Sequence, residues 1–332
     1  MVIFKHFVGI DISKLTFDVS FDSKMTQAKH VKLKNNPSGF TKLNDLLIKS
    51  GLEVSETMIC MENTGLYNQA LCDYLLDAGF SVWVENATQI KWSLGIQRGK
   101  NDKVDSLRIL SYAKRNQDKF KPYHKKSLGL RQLADLLALR SRLINSLKTL
   151  KVPVGELLSA GMKEQAELIE QLSFETISVM KRQIKNVEET IKKTICEDEK
   201  LNEVFEYVIS VKSIGFIAAC KLILYTEVFT KFNSAKEIAS YCGIAPFEHS
   251  SGTSIKGKTR VHHMANKDLK TALHMCAMSS VAHNEEMKTY YQRKVSEGKN
   301  KMLVLNAIRN KLLSRVFSCV KNKKLYIPYL AA

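Results

Sequence analysis

The sequence predicts an α/β plus α architecture: a mixed α/β domain, a helical connector, then a mostly helical basic domain. Three observations carry that reading. Over residues 1–122, short apolar strands alternate with amphipathic helices. Over 123–203, two long segments place apolar residues at heptad spacing. Over 204–332, helical apolar stripes persist while lysine and arginine accumulate.

The first domain reads element by element. Residues 6–11, His-Phe-Val-Gly-Ile-Asp, form an apolar strand that ends in a carboxylate. Thr16–Phe21 alternates as a second strand after the Ile12-Ser13-Lys14 turn, and His30–Leu33 is a third. Pro37-Ser38-Gly39 punctuates the chain before an amphipathic helix through Phe40, Leu43, Leu46 and Leu47. Residues 56–62 form a buried strand, followed by Asn63-Thr64-Gly65 and a helix to about Ala78 that Gly79 can cap. Ser81–Val84 is the next strand. Three early strands, a helix, then strand and helix alternation fit a ribonuclease H-like α/β domain.

In the middle, Leu136, Leu143 and Leu150 recur every seven residues, with Leu133 and Leu147 nearby, until Pro153 and Gly155 are expected to break the helix. A second helix carries Ile177, Met180, Ile184, Val187 and Ile191 at 3-4-3-4 spacing, an a/d seam. Two arrangements are open: a helical hairpin within the chain, or a coiled coil between chains. In the final third, Lys256, Lys258, Arg260, His262, His263, Lys267 and Lys270 face a single acid, Asp268. The basic density continues past the apolar positions Leu303, Leu305, Ile308 and Leu312. That combination favours phosphate binding over a merely solvated face.

Composition narrows the function classes. A formal charge of +18 and a pI near 9.5 over 332 residues favour a polyanionic partner. A membrane is the weaker partner. The longest apolar stretch, Ile214–Thr226, contains Lys221 and is too short to span, and His6 and Asp11 interrupt the N-terminus before any signal-like run. Seven cysteines without a C-x-x-C pair read as reduced core thiols of a cytoplasmic protein rather than as zinc ligands.

Four acids are candidates for chemistry. Asp11 ends the first strand. A Gly-Ile-Asp strand end also occurs in actin-like sugar kinases and ATPases, but these need a second glycine-rich phosphate loop, and the 15 glycines here do not cluster. Asp18 reads as an exposed strand residue. Glu62 closes Thr-Met-Ile-Cys-Met-Glu at the sheet edge where α/β sites gather, although the dipole of a helix starting near Asn63 would also favour an acid there. Asp102 and Asp105 stand at i and i+3 in a helix's first turn, where either could serve as a cap. Their flank (Arg98, Lys100, Lys103) suits a nucleic-acid phosphate lying against the carboxylates. Crowded carboxylates repel, titrate together at raised pKa, and are relieved by divalent cations that activate oxygen nucleophiles. A fifth candidate lies in the loop from Gly243 through Pro246 and His249 to Ser254. Its hydroxyl run precedes Lys256, Lys258 and Arg260 and is either a turn or the seat of a nucleophilic serine. His249 could orient that serine or be an ordinary surface histidine.

Taken in order, these words resemble the insertion-sequence transposases of the IS110 type, which include the Piv/MooV DNA invertases, over nearly the whole chain. The family's RuvC-like domain carries a DEDD set, matched by Asp11, Glu62, Asp102 and Asp105 within Gly-Ile-Asp-Ile-Ser-Lys, Glu-Asn-Thr-Gly and Asn-Asp-Lys-Val-Asp-Ser. Its C-terminal domain carries Gly-x-x-Pro…Ser-Gly, matched by Gly243, Pro246, Ser251 and Gly252; the serine before the glycine is the family nucleophile, which selects Ser251. Asn63 stands where a small or apolar residue is usual. Val211-Lys212-Ser213-Ile214-Gly215 stands where the family's helix-hairpin-helix turn reads Ile-Pro-Gly-Ile-Gly. The resemblance implies DNA strand cleavage and rejoining through a serine–DNA intermediate. It implies Mg²⁺ on the four carboxylates, two ions per site, with Mn²⁺ able to substitute. It also implies assembly of dimers to tetramers on donor and target DNA and, for many members, a structured guide RNA. Rival readings are an invertase without guide RNA, a hydrolytic junction nuclease using the carboxylates alone, and a nucleic-acid-binding protein with a decayed catalytic domain.

Overall fold

The computed structural model describes residues 4–22, 28–93, 95, 101–251, 255–261 and 265–327, with the backbone alone at 248–251 and 255–260. The chain forms two compact units, Met1–Lys125 and Lys126–Ala332.

The first unit is a five-stranded sheet in the order β3-β2-β1-β4-β5. Strands β1 (His6–Ile12), β2 (Thr16–Phe21) and β3 (Lys29–Lys34) run antiparallel in sequence. After helix α1 (Pro37–Lys49), β4 (Thr57–Glu62) joins β1 in parallel; after α2 (Leu66–Asp77), β5 (Ser81–Glu85) joins β4 in parallel. Helices α3 (Ala87–Ser93) and α4 (Asp102–Arg115) complete the unit. This is the mixed sheet of the ribonuclease H-like class that the sequence predicts. Strand alternation sorts the side chains into two cores. Val8, Ile10, Ile12, Phe17 and Val19 pack with α1 and α2 through Leu43, Leu47, Leu71 and Leu75. Phe7, Met58, Cys60 and Trp83 pack on the other face with Ile109, Leu110 and Tyr112 of α4.

Gly9 sets how closely α4 approaches. A Cβ at this position would lie 2.2 Å from the Leu110 nitrogen and 2.4 Å from the Ser106 carbonyl, so only glycine lets the helix backbone rest on β1. A buried hydrogen bond of 2.7 Å between the Ser20 and Ser106 hydroxyls fixes the same helix to β2.

The second unit begins with α5 (Leu128–Ser159) and α6 (Lys163–Glu197), two long helices packed on each other. The expected break at Pro153 and Gly155 does not occur; α5 runs through both to Ser159 and the chain turns at Gly161, whose φ is 79°. Proline removes one backbone donor, and here it does so on an exposed stretch where water can take the freed carbonyl. The two helices pack as an intramolecular hairpin, and part of each predicted seam joins its core: Leu133, with Leu136 and Leu143 against it, from α5, and Val187 and Ile191 from α6, beside Leu130, Leu137 and Ile195, which the heptad reading did not include. Helices α7 (Glu199–Ile209), α8 (Phe216–Tyr225) and α9 (Ala235–Tyr241), then α10 (Lys267–His283), α11 (Glu285–Ser296) and α12 (Lys301–Asn322), extend that core through Val208, Ile223, Ile238, Leu273, Ile308 and Leu312. Between α9 and α10 the chain forms a two-stranded hairpin, β6 (Pro246–Ser251) and β7 (Ile255–Val261), which the helical reading of this region did not foresee. Among the described residues no helix is long and apolar enough to cross a membrane. Six of the seven cysteines are buried and none forms a disulfide, as their apolar settings predict.

Candidate active site: carboxylates beneath the α4 N-terminus

Strand register places a line of charge across all five strands. Lys32 pairs with Asp18, and Asp18 with Asp11. The Ile10–Met61 pairing, carried one residue on, sets Asp11 beside Glu62, and Glu62 pairs with Glu85. Residues level across a sheet share a face. This face is the one that α4 covers, since Gly9 and Ser20 meet α4 there and the Tyr112 hydroxyl donates to Glu85 Oε2 at 3.2 Å.

The α4 start adds two more acids. Asn101 is the N-cap, with its side-chain oxygen accepting from the Lys103 and Val104 amides at 2.8 and 3.2 Å. Neither Asp102 nor Asp105 therefore caps the helix; both are first-turn residues whose charges act on Asp11. Asp105 is held by Arg108 at 2.6 Å, and Asp102 by Lys32 at 3.3 Å. Glu62 stays within β4, because α2 begins only at Leu66 behind Gly65, whose φ of 72° turns the chain.

Asp11 registers the sum of these charges. Its carboxyl is pushed up to about 6, first by burial and then by Asp105, Asp102, Glu62 and Asp18. Among the described residues, the charges acting on it are those of acids. The cluster predicted from sequence is therefore one electrostatic neighbourhood. As the side chains stand, no three His, Cys, Asp or Glu among the described residues converge closely enough to hold an ion. The donor chemistry nevertheless fits a hard divalent cation: all oxygen, with Asp11 uncompensated among the described residues.

One residue was misread in the sequence and two were not singled out. Asp18 is not exposed but buried, 4% accessible, and is paired with His30 Nε2 at 2.8 Å and Lys32 Nζ at 3.3 Å. Its position opposite Phe17 and Val19 reads as solvent-facing until α4 is known to cover that face. His30 and Lys32 carry no local signal; only the β2–β3 register brings them in.

In the second unit, Ser251 is the last residue of β6, paired with Ile255; Ser250 pairs with Lys256, Phe247 with Arg260, and His249 with Gly257 at a bulge. Lys258 lies between on β7. The loop entering this hairpin is anchored: Gly243 has φ 63°, and the Ile244 carbonyl accepts from Asn306 and Asn310 of α12 at 2.8 and 3.1 Å. Lys267 and Lys270 lie in the first turns of α10 and Lys103 in that of α4. Arg98, Lys100, Gly252, Ser254, His262 and His263 lie outside the described residues.

Comparison with known proteins places both regions in one family. The pattern of the DEDD-type IS110 transposases matches residues 8–162, and that of the IS116/IS110/IS902 transposase family matches residues 206–292. The chain is 27% identical to a pilin gene-inverting protein of Moraxella bovis over 96% of its own length and 97% of that protein's. It is 30% identical to an uncharacterised 43.6 kDa protein of insertion element IS110 from Streptomyces coelicolor, over 35% of this chain and 29% of that one. It is also similar to the Thermus thermophilus RuvC structure, at a TM-score of 0.26 and 14% identity, over 36% of this chain and 99% of that one. The chain belongs to the IS110 family of transposases.

Proposed function

We propose that the protein is a DNA transposase or site-specific recombinase that cleaves and rejoins strands through Ser251, with Asp11, Glu62, Asp102 and Asp105 as the Mg²⁺ ligands. The observation that carries this reading is Asp11, half-buried on β1 with, among the described residues, only acids acting on it. A site of that kind is relieved by a dication, not by protein groups alone. Mg²⁺ bound there, as two ions replaceable by Mn²⁺, supplies charge neutralisation at phosphate and activation of an oxygen nucleophile. The chain's own residues do the rest. The Ser251 hydroxyl attacks a phosphodiester, one DNA end leaves as a hydroxyl, and the serine–DNA ester keeps the bond energy for rejoining. The basic residues Lys256, Lys258, Arg260, Lys267 and Lys270, with Arg98, Lys100 and Lys103 that flank Asp102 in sequence, bind the sugar–phosphate backbone.

The division of labour follows the three sequence regions: a DEDD domain at 1–122, a helical connector at 123–203 and a serine domain at 204–332. The distal part of α6 supports assembly into dimers or tetramers, since Leu168, Leu172 and Phe174 are 58%, 79% and 65% exposed there. A structured guide RNA is the second polyanion that a charge of +18 accommodates. The end-to-end match to the pilin gene-inverting proteins favours one alternative, a site-specific invertase, which we read as acting without guide RNA.

The test is a trapped reaction on supercoiled DNA carrying the sequence that flanks the gene. Wild type forms a covalent protein–DNA adduct with Mg²⁺, and Ser251→Ala forms none. Strand exchange by Ser251→Ala without an adduct would mean hydrolysis or another nucleophile. Ribonuclease treatment before the reaction separates the RNA-guided form, which loses activity, from the invertase, which keeps it.

A further inference from the structure

The acid cluster carries its own cation. Lys32 sits on the edge strand β3, level with Asp18, and its ammonium lies 3.3 Å from both Asp18 Oδ2 and Asp102 Oδ2. It thus ties the first turn of α4 to the sheet, across two carboxylates that would otherwise repel. The two attachments differ in kind. Asp18 is buried and keeps a second partner, His30, at 2.8 Å. Asp102 is exposed at the helix start, and the Lys32 side chain is half exposed, 50%, at the end of a flexible stem. Asp18 therefore stays paired if Lys32 swings away, while Asp102 is released. The compensation also stops short of the centre: among the described residues, the charges acting on Asp11 are those of Asp105, Asp102, Glu62 and Asp18.

We propose that Lys32 is the resident counter-ion of Asp102 and that a divalent cation must displace it to gain that carboxylate. The inference rests on the reading of the carboxylates as a metal site. It makes Lys32 a positioning residue: in the metal-free protein it holds α4 against the sheet, and it opposes metal loading by like-charge repulsion. Removing the ammonium trades one effect for the other.

The experiment is calorimetric titration of the full-length protein with MgCl₂, repeated with MnCl₂, on wild type, Lys32→Met and Lys32→Arg. Lys32→Met binds the metal roughly fivefold more tightly, as expected when one partly screened charge stops opposing a dication, and Lys32→Arg stays near wild type. Equal or weaker binding by Lys32→Met overturns the proposal. Absence of binding by all three proteins overturns the metal reading beneath it. Should Lys32→Met fail to fold, wild type labelled with ¹³C-methyl groups on its lysines gives the answer. The Lys32 resonance moves on metal addition and, in Asp102→Asn, already sits near its metal-loaded position; a resonance indifferent to metal contradicts the displacement.

Discussion

Asp11 is the residue at which folding and chemistry oppose each other. Its ordinary carboxyl pKa of 3.8 is raised to about 6 in the folded protein, so the fold binds this proton more tightly than the unfolded chain does. The stabilisation is complete below about pH 4 and is lost as pH rises through 6; at neutral pH the ionised group is a net burden. In chelator-treated protein, Asp11→Asn should therefore raise stability at pH 7.5 by about 2 kcal/mol, the ~3 kcal/mol of a two-unit shift being reduced by solvent screening. At pH 4 the gain should nearly vanish. Denaturant melts at the two pH values check this, and equal gains at both would remove the electrostatic origin. The strand-end acids were legible because an apolar run closing on a carboxylate is a local pattern. Asp18, His30 and Lys32 were not, because their meaning depends on register between strands and on a helix covering the second face.

Elements succeed or fail on their neighbours. Helix α4 was readable as a helix with acids in its first turn, but its placement depends on Gly9, far away in sequence, which leaves room for the Leu110 backbone. The two long helices α5 and α6 were legible from their heptads and pack as a hairpin over part of each seam, whereas the run of α5 through Pro153 was not, because proline's cost depends on whether water reaches the freed carbonyl. The β6–β7 hairpin escaped because its hydroxyl and lysine residues give no apolar alternation. The turn between α7 and α8 carries a testable relic. Ser213, where the family word has glycine, adopts φ 77°, a left-handed conformation that disfavours any Cβ. Ser213→Gly should stabilise the protein by about 0.5–1 kcal/mol, the relieved strain exceeding the added unfolded-state freedom. A lower midpoint in thermal melts would show that the serine side chain contributes more than its backbone strain costs.

At the scale of the whole molecule, charge and chemistry are divided along the chain. The four candidate carboxylates lie in the first unit, and the lysine-rich hairpin with Ser251 belongs to the second. A net charge of +18 alone would describe any nucleic-acid-binding protein; the carboxylates turn binding into a claim about cleavage. That claim is met most directly by nicking of supercoiled plasmid carrying the flanking DNA, with Mg²⁺ or with chelator, by wild type and Asp11→Asn. Nicking by wild type in Mg²⁺ alone, lost by a thousandfold or so in Asp11→Asn although that variant is folded and binds DNA, is the predicted result. Undiminished nicking by Asp11→Asn, or by wild type in chelator, would contradict it.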